Sequence, residues 1–175
     1  GSNRLSNLFD VDLGLQSGID KVTKRHVKNY KFINVNELNK GVYVINKNEF
    51  ENLKLSNNEK KICKKMYKNS NINKYFVDDK TDKFIFYLTR DLNIDDYPNI
   101  KKHIFKHEKL IKKRSEDRGE IQAALKLGKW WVLYSAKSTI TFEGSKIVCP
   151  QRSNLNTFAY CDIDFYANRD VYYLR

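Results

Sequence analysis

Leu8, Val11, Leu13 and Leu15 alternate with polar residues through "LFDVDLGLQ", a strand pattern that stops at Ser17-Gly18. "YKFINV" and "GVYVIN" read as two further strands, separated by the polar "NELNKG" turn. The stretch 55–69, "LSNNEKKICKKMYKN", predicts a helix: Ser56 is the N-cap and Glu59, three residues on, completes a capping box. "DKFIFYLT" predicts a short buried strand. The longest element is a helix over 97–115, capped by Asp95 or Asp96, with Pro98 in its first turn. Ile100, Ile104 and Ile111 form its apolar stripe. The other face carries Lys101, Lys102, Lys106, Lys109, Lys112, Lys113 and Arg114 against the single acid Glu108. Strands return with "WWVLYS", "TITF", "KIVCP", "TFAYCD" and "VYYLR". On a strand Trp130 and Trp131 point to opposite faces, so one belongs in the core and the other is exposed or covered by a neighbouring segment.

The order is β-rich, then helical, then β-rich, without βαβ repetition. It predicts a single α+β domain with mixed or antiparallel β-sheets, one long basic helix and short helices. A length of 175 residues suits one such domain, and 13% aromatic residues argue against disorder. No apolar run approaches the roughly 18 residues that span a bilayer, and no signal peptide, internal repeat or linker is visible. Three cysteines (Cys63, Cys149, Cys161) without metal-ligand spacing point to reduced thiols and a cytoplasmic location.

Charge changes the picture. A net +12 favours a polyanionic partner, nucleic acid ahead of an anionic membrane, against the bland alternative of a lysine-rich coat. The abundance of lysine, asparagine and isoleucine also fits AT-rich coding, so the lysine count alone carries little. No Gly-rich phosphate loop is present. "EGSK" has the wrong spacing for a metal-dependent nuclease. His103 and His107 share a helix face at a spacing zinc accepts, but no third ligand accompanies them, so they are assigned to the basic face. No catalytic residue and no metal site is predicted. For phosphate contact the candidates are Lys102, Lys106, Lys109 and Lys113 on the long helix, with Ser17, Lys21, Lys24 and Arg25 at the end of the first strand. Arg152 and Ser153 follow Pro150 at a strand end, and arginine matches the edge of guanine bidentately.

These residues bring a family resemblance with them. "KWWVLY…FEGSKIVCPQRSNLNTFAYCDIDFYANRDVYYL" resembles the C-terminal specificity domain of TaqI-like N6-adenine DNA methyltransferases and fused type IIG restriction-modification enzymes. "VDLGLQSGIDKV" is similar to the Gly-hydrophobic-x-(Ser/Thr)-Gly stretch where that domain starts, and "YPNIKKHIFKHEKLIKKR" to its Tyr-Pro helix. The likeness covers roughly residues 5–175. Two departures stand out. The family's Arg-Pro-Arg-Asp-like turn reads Ser135-Ala136-Lys137-Ser138 here, so only Lys137 keeps its cationic character. The methyltransferase motifs Asn-Pro-Pro-Tyr and Phe-x-Gly-x-Gly are absent.

The resemblance implies a target recognition domain for double-stranded DNA over 5–175, with residues 1–4 a tag or linker remnant. In that case the aromatic strands are scaffold, while Lys137, Gln151, Arg152, Ser153 and Asn156 read base edges. Methyl transfer, S-adenosylmethionine and any endonuclease would belong to other parts of a restriction-modification polypeptide of bacterial defence. This chain would hold no cofactor, touch no membrane and partner an N-terminal methyltransferase domain. Rival readings are an RNA- or single-strand-binding module and half of a type I specificity subunit; the latter lacks its coiled-coil spacer.

Overall fold

A computed structural model of the chain describes residues 7–114 and 119–175. Residues 1–4 and Ser115, the expected end of the long helix, lie outside the described residues. In chain order the elements are β1 (Val11–Leu13), α1 (Lys24–Asn29), β2 (Val44–Asn46), α2 (Lys47–Asn52), α3 (Asn57–Lys61), β3 (Cys63–Tyr67) and β4 (Lys83–Phe86). They continue with α4 (Pro98–Lys106), α5 (Glu108–Ile111), α6 (Gly119–Lys126), β5 (Lys146–Pro150), β6 (Ala159–Cys161), β7 (Tyr166–Ala167) and β8 (Val171–Leu174). The class is α+β, with mostly antiparallel strands, as the pattern predicts.

The chain forms two compact units, each assembled from separated segments. The first comprises Gly1–Gln16, Lys65–Asp82 and Lys137–Arg175; the second comprises Ser17–Lys64 and Lys83–Ala136. In the first unit an antiparallel sheet has the order β1-β8-β5-β6. Its register pairs Val148 with Tyr173 and with Ala159, and these side chains form the buried face. Phe142 packs beneath it, edge-on to Tyr173 and 4.7 Å from Tyr166. Outside that sheet, β7 pairs in parallel with β3 through Met66 and Tyr166, and Tyr67 stacks on Phe165 at 4.6 Å. Gly14 permits the sheet's edge to close, since a β-carbon there would lie 2.1 Å from the Asn168 carbonyl oxygen.

In the second unit β2 runs antiparallel to β4, and Phe50 stacks on Phe84 beside them at 4.4 Å. Tyr43, Ile45, Ile85, Phe86, Ile100 and Ile104 are fully buried. The structure departs from the sequence pattern in several places. Lys24 and Arg25, placed by the sequence simply at the end of the first strand, lie in α1, which forms because Thr23 and His26 make a reciprocal capping box with histidine in the glutamate's place. The helix begun at Ser56 ends after five residues, because residues 63–67 are drawn into a strand instead.

The expected strand "YKFINV" is a turn followed by a 3-10 turn at Val35–Glu37, and Tyr30 stacks on Phe32. "WWVLYS" is likewise no strand. Its carbonyls are taken by side chains, Trp130 and Val132 by Arg114 and Trp131 by the Tyr43 hydroxyl. "TITF" is a 3-10 turn, Thr139–Thr141. Trp131 is nonetheless buried, and Trp130 is covered by Phe105 at 4.9 Å.

Candidate nucleic-acid interface

The long helix is two helices. α4 ends at Lys106, His107 breaks the spiral, and α5 turns once to Ile111. Neither Asp95 nor Asp96 caps α4 through its side chain; Glu59, some 40 residues earlier, does so instead. Its buried carboxylate accepts from the Asn99 and Ile100 backbone N–H groups (2.6 and 3.0 Å) and the Asn99 side chain (2.9 Å). The same carboxylate closes the α3 capping box by accepting from Ser56 N–H at 2.8 Å.

Ile100, Ile104, Leu110 and Ile111 face inward. His103 and His107 go with them rather than onto the basic face, which corrects the reading from spacing alone. His103 Nε2 lies 3.0 Å from the Val42 carbonyl, and His107 is buried against His103, ring centroids 5.3 Å apart. Burial holds both below the ordinary histidine range, His107 at about 4 with help from neighbouring His103. Neither ring therefore contributes positive charge near neutrality. Because the folded pKa of His107 is depressed, its contribution to stability is present above the unfolded value near 6.5 and is lost as pH falls towards 4. The His107 ring signals in an NMR titration are expected to remain those of neutral imidazole until about pH 4. A midpoint near 6.5 would show that the ring is solvated.

Not every cation of the helix is available. Lys101 pairs with Asp95 at 2.5 Å and lies over the Phe105 ring. Lys112 pairs with Glu108 at 2.5 Å and lies over Trp130. Arg114 is drawn into the interior. The four lysines assigned to phosphate contact, Lys102, Lys106, Lys109 and Lys113, stand exposed, and among the described residues no acid pairs with them. Lys24 and Arg25 are exposed on α1, and Lys21 donates to Asn39 at 3.1 Å. Ser17 falls out of this set. It is 4% exposed, and its hydroxyl is spent on Asp20, so it meets no phosphate in this conformation.

The residues expected to read base edges (Lys137, Gln151, Arg152, Ser153 and Asn156) all belong to the first unit. Gln151 to Asn156 form an exposed turn between β5 and β6, anchored where Gln151 N–H donates to the Asp170 carbonyl at 2.7 Å. Ser153 shapes the turn: its hydroxyl accepts from Leu155 N–H and meets Thr157 Oγ1 at 3.2 Å. Among the described residues no acid pairs with Arg152, neither Asp162 nor Asp164. Lys137 is half-buried. The turn runs directly into Phe158 and Tyr160, which the sequence reading passed over as strand scaffold and which stand exposed.

Charge divides between the units. The second unit holds 23 of the 33 lysines and arginines and 12 of the 21 acids, so nearly all of the excess charge; the first holds 10 and 9. The excess positive charge therefore resides in one unit and the exposed Gln151–Asn156 turn in the other, near-neutral one. Among the described residues no cluster of three metal-ligating side chains occurs, and no helix is long and apolar enough to cross a membrane. Compared with known proteins, the chain matches no family model and no curated protein.

Proposed function

We propose that this chain binds double-stranded DNA in sequence-specific fashion, as the target recognition domain of an adenine-N6 DNA methyltransferase of type IIG character. The observation that carries the reading is the concentration of unpaired, exposed lysines on the α4–α5 face of a unit that holds nearly all of the excess charge. Such a face attracts phosphates without regard to sequence. The exposed Gln151–Asn156 turn supplies what lysines cannot, a guanidinium and amides able to match base edges in the major groove. The ordered resemblance of residues 5–175 to TaqI-like specificity domains supports the same reading. Methyl transfer, with S-adenosylmethionine, belongs in this proposal to an N-terminal catalytic domain of the same cytoplasmic polypeptide, which flips the target adenine out.

Salt titration of duplex binding tests the proposal. If about 5 phosphates are neutralised, log K falls against log salt with a slope of about −4 to −5. The double substitution Lys102→Ala and Lys109→Ala is expected to make that slope shallower by about 2, on any duplex. Arg152→Ala is expected to cost about 1–3 kcal/mol on a duplex selected from a random pool, and much less on a scrambled one. A flat salt dependence would overturn phosphate contact. Equal losses on both duplexes for Arg152→Ala would overturn reading by the turn.

A further inference from the structure

The first unit carries a second set of exposed groups, unrelated to the lysine face. Asn73 N–H donates to the Phe76 carbonyl at 2.9 Å and Ile72 bridges Val77, so Lys74 and Tyr75 are the two tip residues of a tight hairpin. Tyr75 there has φ +80°, a left-handed backbone suited to glycine or asparagine and adverse to a bulky ring. Its side chain is 74% exposed, so no packing holds it in that conformation. The hairpin docks on the free edge of β6, where Tyr75 N–H donates to the Phe158 carbonyl at 2.8 Å. Phe158 and Tyr160 follow at alternate positions on the solvent side of β6, with Phe76 also exposed.

These four rings differ from the other exposed aromatics. Phe105 is covered by Trp130 and Lys101, and Phe32 stacks on Tyr30. Among the described residues Tyr75, Phe76, Phe158 and Tyr160 stack on no ring, and only Lys74, over Tyr75 at 5.1 Å, touches their faces. Lys74 lies over Tyr75, Asn73 precedes it in the hairpin, and the exposed Arg152, Asn154 and Asn156 belong to the turn that runs into Phe158, in a chain of net charge +12. This combination complements a strand whose bases are unpaired, because a paired duplex keeps its base faces stacked inside.

We infer that the Tyr75 hairpin and the outer side of β6 form a stacking platform for unpaired nucleobases, with Lys74 over the Tyr75 ring and the Arg152 turn leading into Phe158. The platform goes beyond the duplex contacts proposed above: it holds a displaced or single strand while the lysine face holds the duplex backbone. Strained backbone retained at an exposed functional ring is the expected mark of such a site.

The test is fluorescence polarisation of the intact chain with labelled dT and rU oligonucleotides and with a duplex, each compared at the same series of salt concentrations. Tyr75→Gly relieves the backbone, so its melting temperature is expected to stay level or rise, while single-strand affinity falls by about tenfold. Tyr160→Leu keeps apolar bulk but removes the ring, and is expected to weaken single-strand binding by about fivefold or more. Duplex binding is expected to change by less than about twofold in both, since the phosphate contacts lie elsewhere. Loss on dT alone or rU alone names the strand and supports the platform. Unchanged single-strand affinity in both variants overturns it, as does an equal loss on the duplex. Sedimentation showing self-association that Tyr75→Gly abolishes, with oligonucleotide affinity unchanged, would assign the rings to a second copy and overturn it too. Absence of salt-dependent duplex binding in the same titration would instead overturn the proposal of duplex recognition.

Discussion

Replacing Arg114 by methionine is expected to destabilise the fold by about 3–5 kcal/mol, a large part of the 5–15 kcal/mol typical of a domain. The side chain lies among backbone carbonyls: Nη2 donates to Trp130 O at 2.7 Å, Nη1 to Val132 O at 2.9 Å and Ser17 O at 3.1 Å, and Nε to Ile111 O at 3.2 Å. Its guanidinium also lies over the Tyr43 ring at 5.4 Å. Methionine fills similar volume but leaves carbonyls of an irregular, buried segment without donors, at about 1–3 kcal/mol each. Lysine would satisfy fewer of them, since one ammonium cannot reproduce the planar fork, so Arg114→Lys is expected to fall between the two. At about 2–4 °C per kcal/mol for a chain of this size, the methionine variant should melt about 10 °C lower by circular dichroism. A melting temperature within about 2 °C of the parent would show that water replaces the guanidinium at little cost. The same arginine accounts for Gly18: at φ +87°, a β-carbon there would lie 2.6 Å from Arg114 Cδ.

Glu59→Ala carries the second large effect, about 3 kcal/mol or more, because one carboxylate serves two helices. Its loss strands the N–H groups of Ser56, Asn99 and Ile100 together. It also removes a negative charge from the first turn of α4, where the helix dipole favours one. Glu59→Gln keeps an acceptor oxygen and is expected to cost less than half as much. Burial alone would raise the Glu59 pKa, but hydrogen bonds from Asn99, Ser56 and Ile100 outweigh it and leave the pKa lowered. A depressed folded pKa means that this stability is present above the unfolded value of about 4.5 and is lost as pH falls through the folded one. Urea unfolding of parent and Glu59→Gln across the acid range should therefore converge as pH drops. A gap that stays constant to low pH would show that the carboxylate is not what the N–H groups need.

The candidate interface was legible in part. The four lysines assigned to phosphate are spaced along one helical face, and in the structure they are the ones left exposed and unpaired, whereas Lys101, Lys112 and Arg114 are occupied. Helical periodicity separates faces but cannot say which cation has an acid or a carbonyl within reach. Ser17 and the two histidines went astray for that reason, since each is polar by type and buried by tertiary contact. Tyr75 was invisible for a different reason. Backbone conformation at a hairpin tip leaves no trace when the residue there is one that ordinarily avoids it.

The sequence by itself determined the α+β class, the capping box at Ser56 and Glu59, the Ile100–Ile104–Ile111 stripe and the strands β4, β5, β6 and β8. These rest on local rules, a cap three residues from its partner or an alternation of period two, which neighbouring residues carry wherever the chain goes. Tertiary structure decided the rest. It turned "WWVLYS" from a strand into a segment held by Arg114 and Tyr43, stopped α3 so that Met66 could pair with Tyr166, and gave α4 an N-terminal partner some 40 residues away. In each case a buried backbone group needed a hydrogen bond, and the donor or acceptor came from a distant segment that no local pattern encodes.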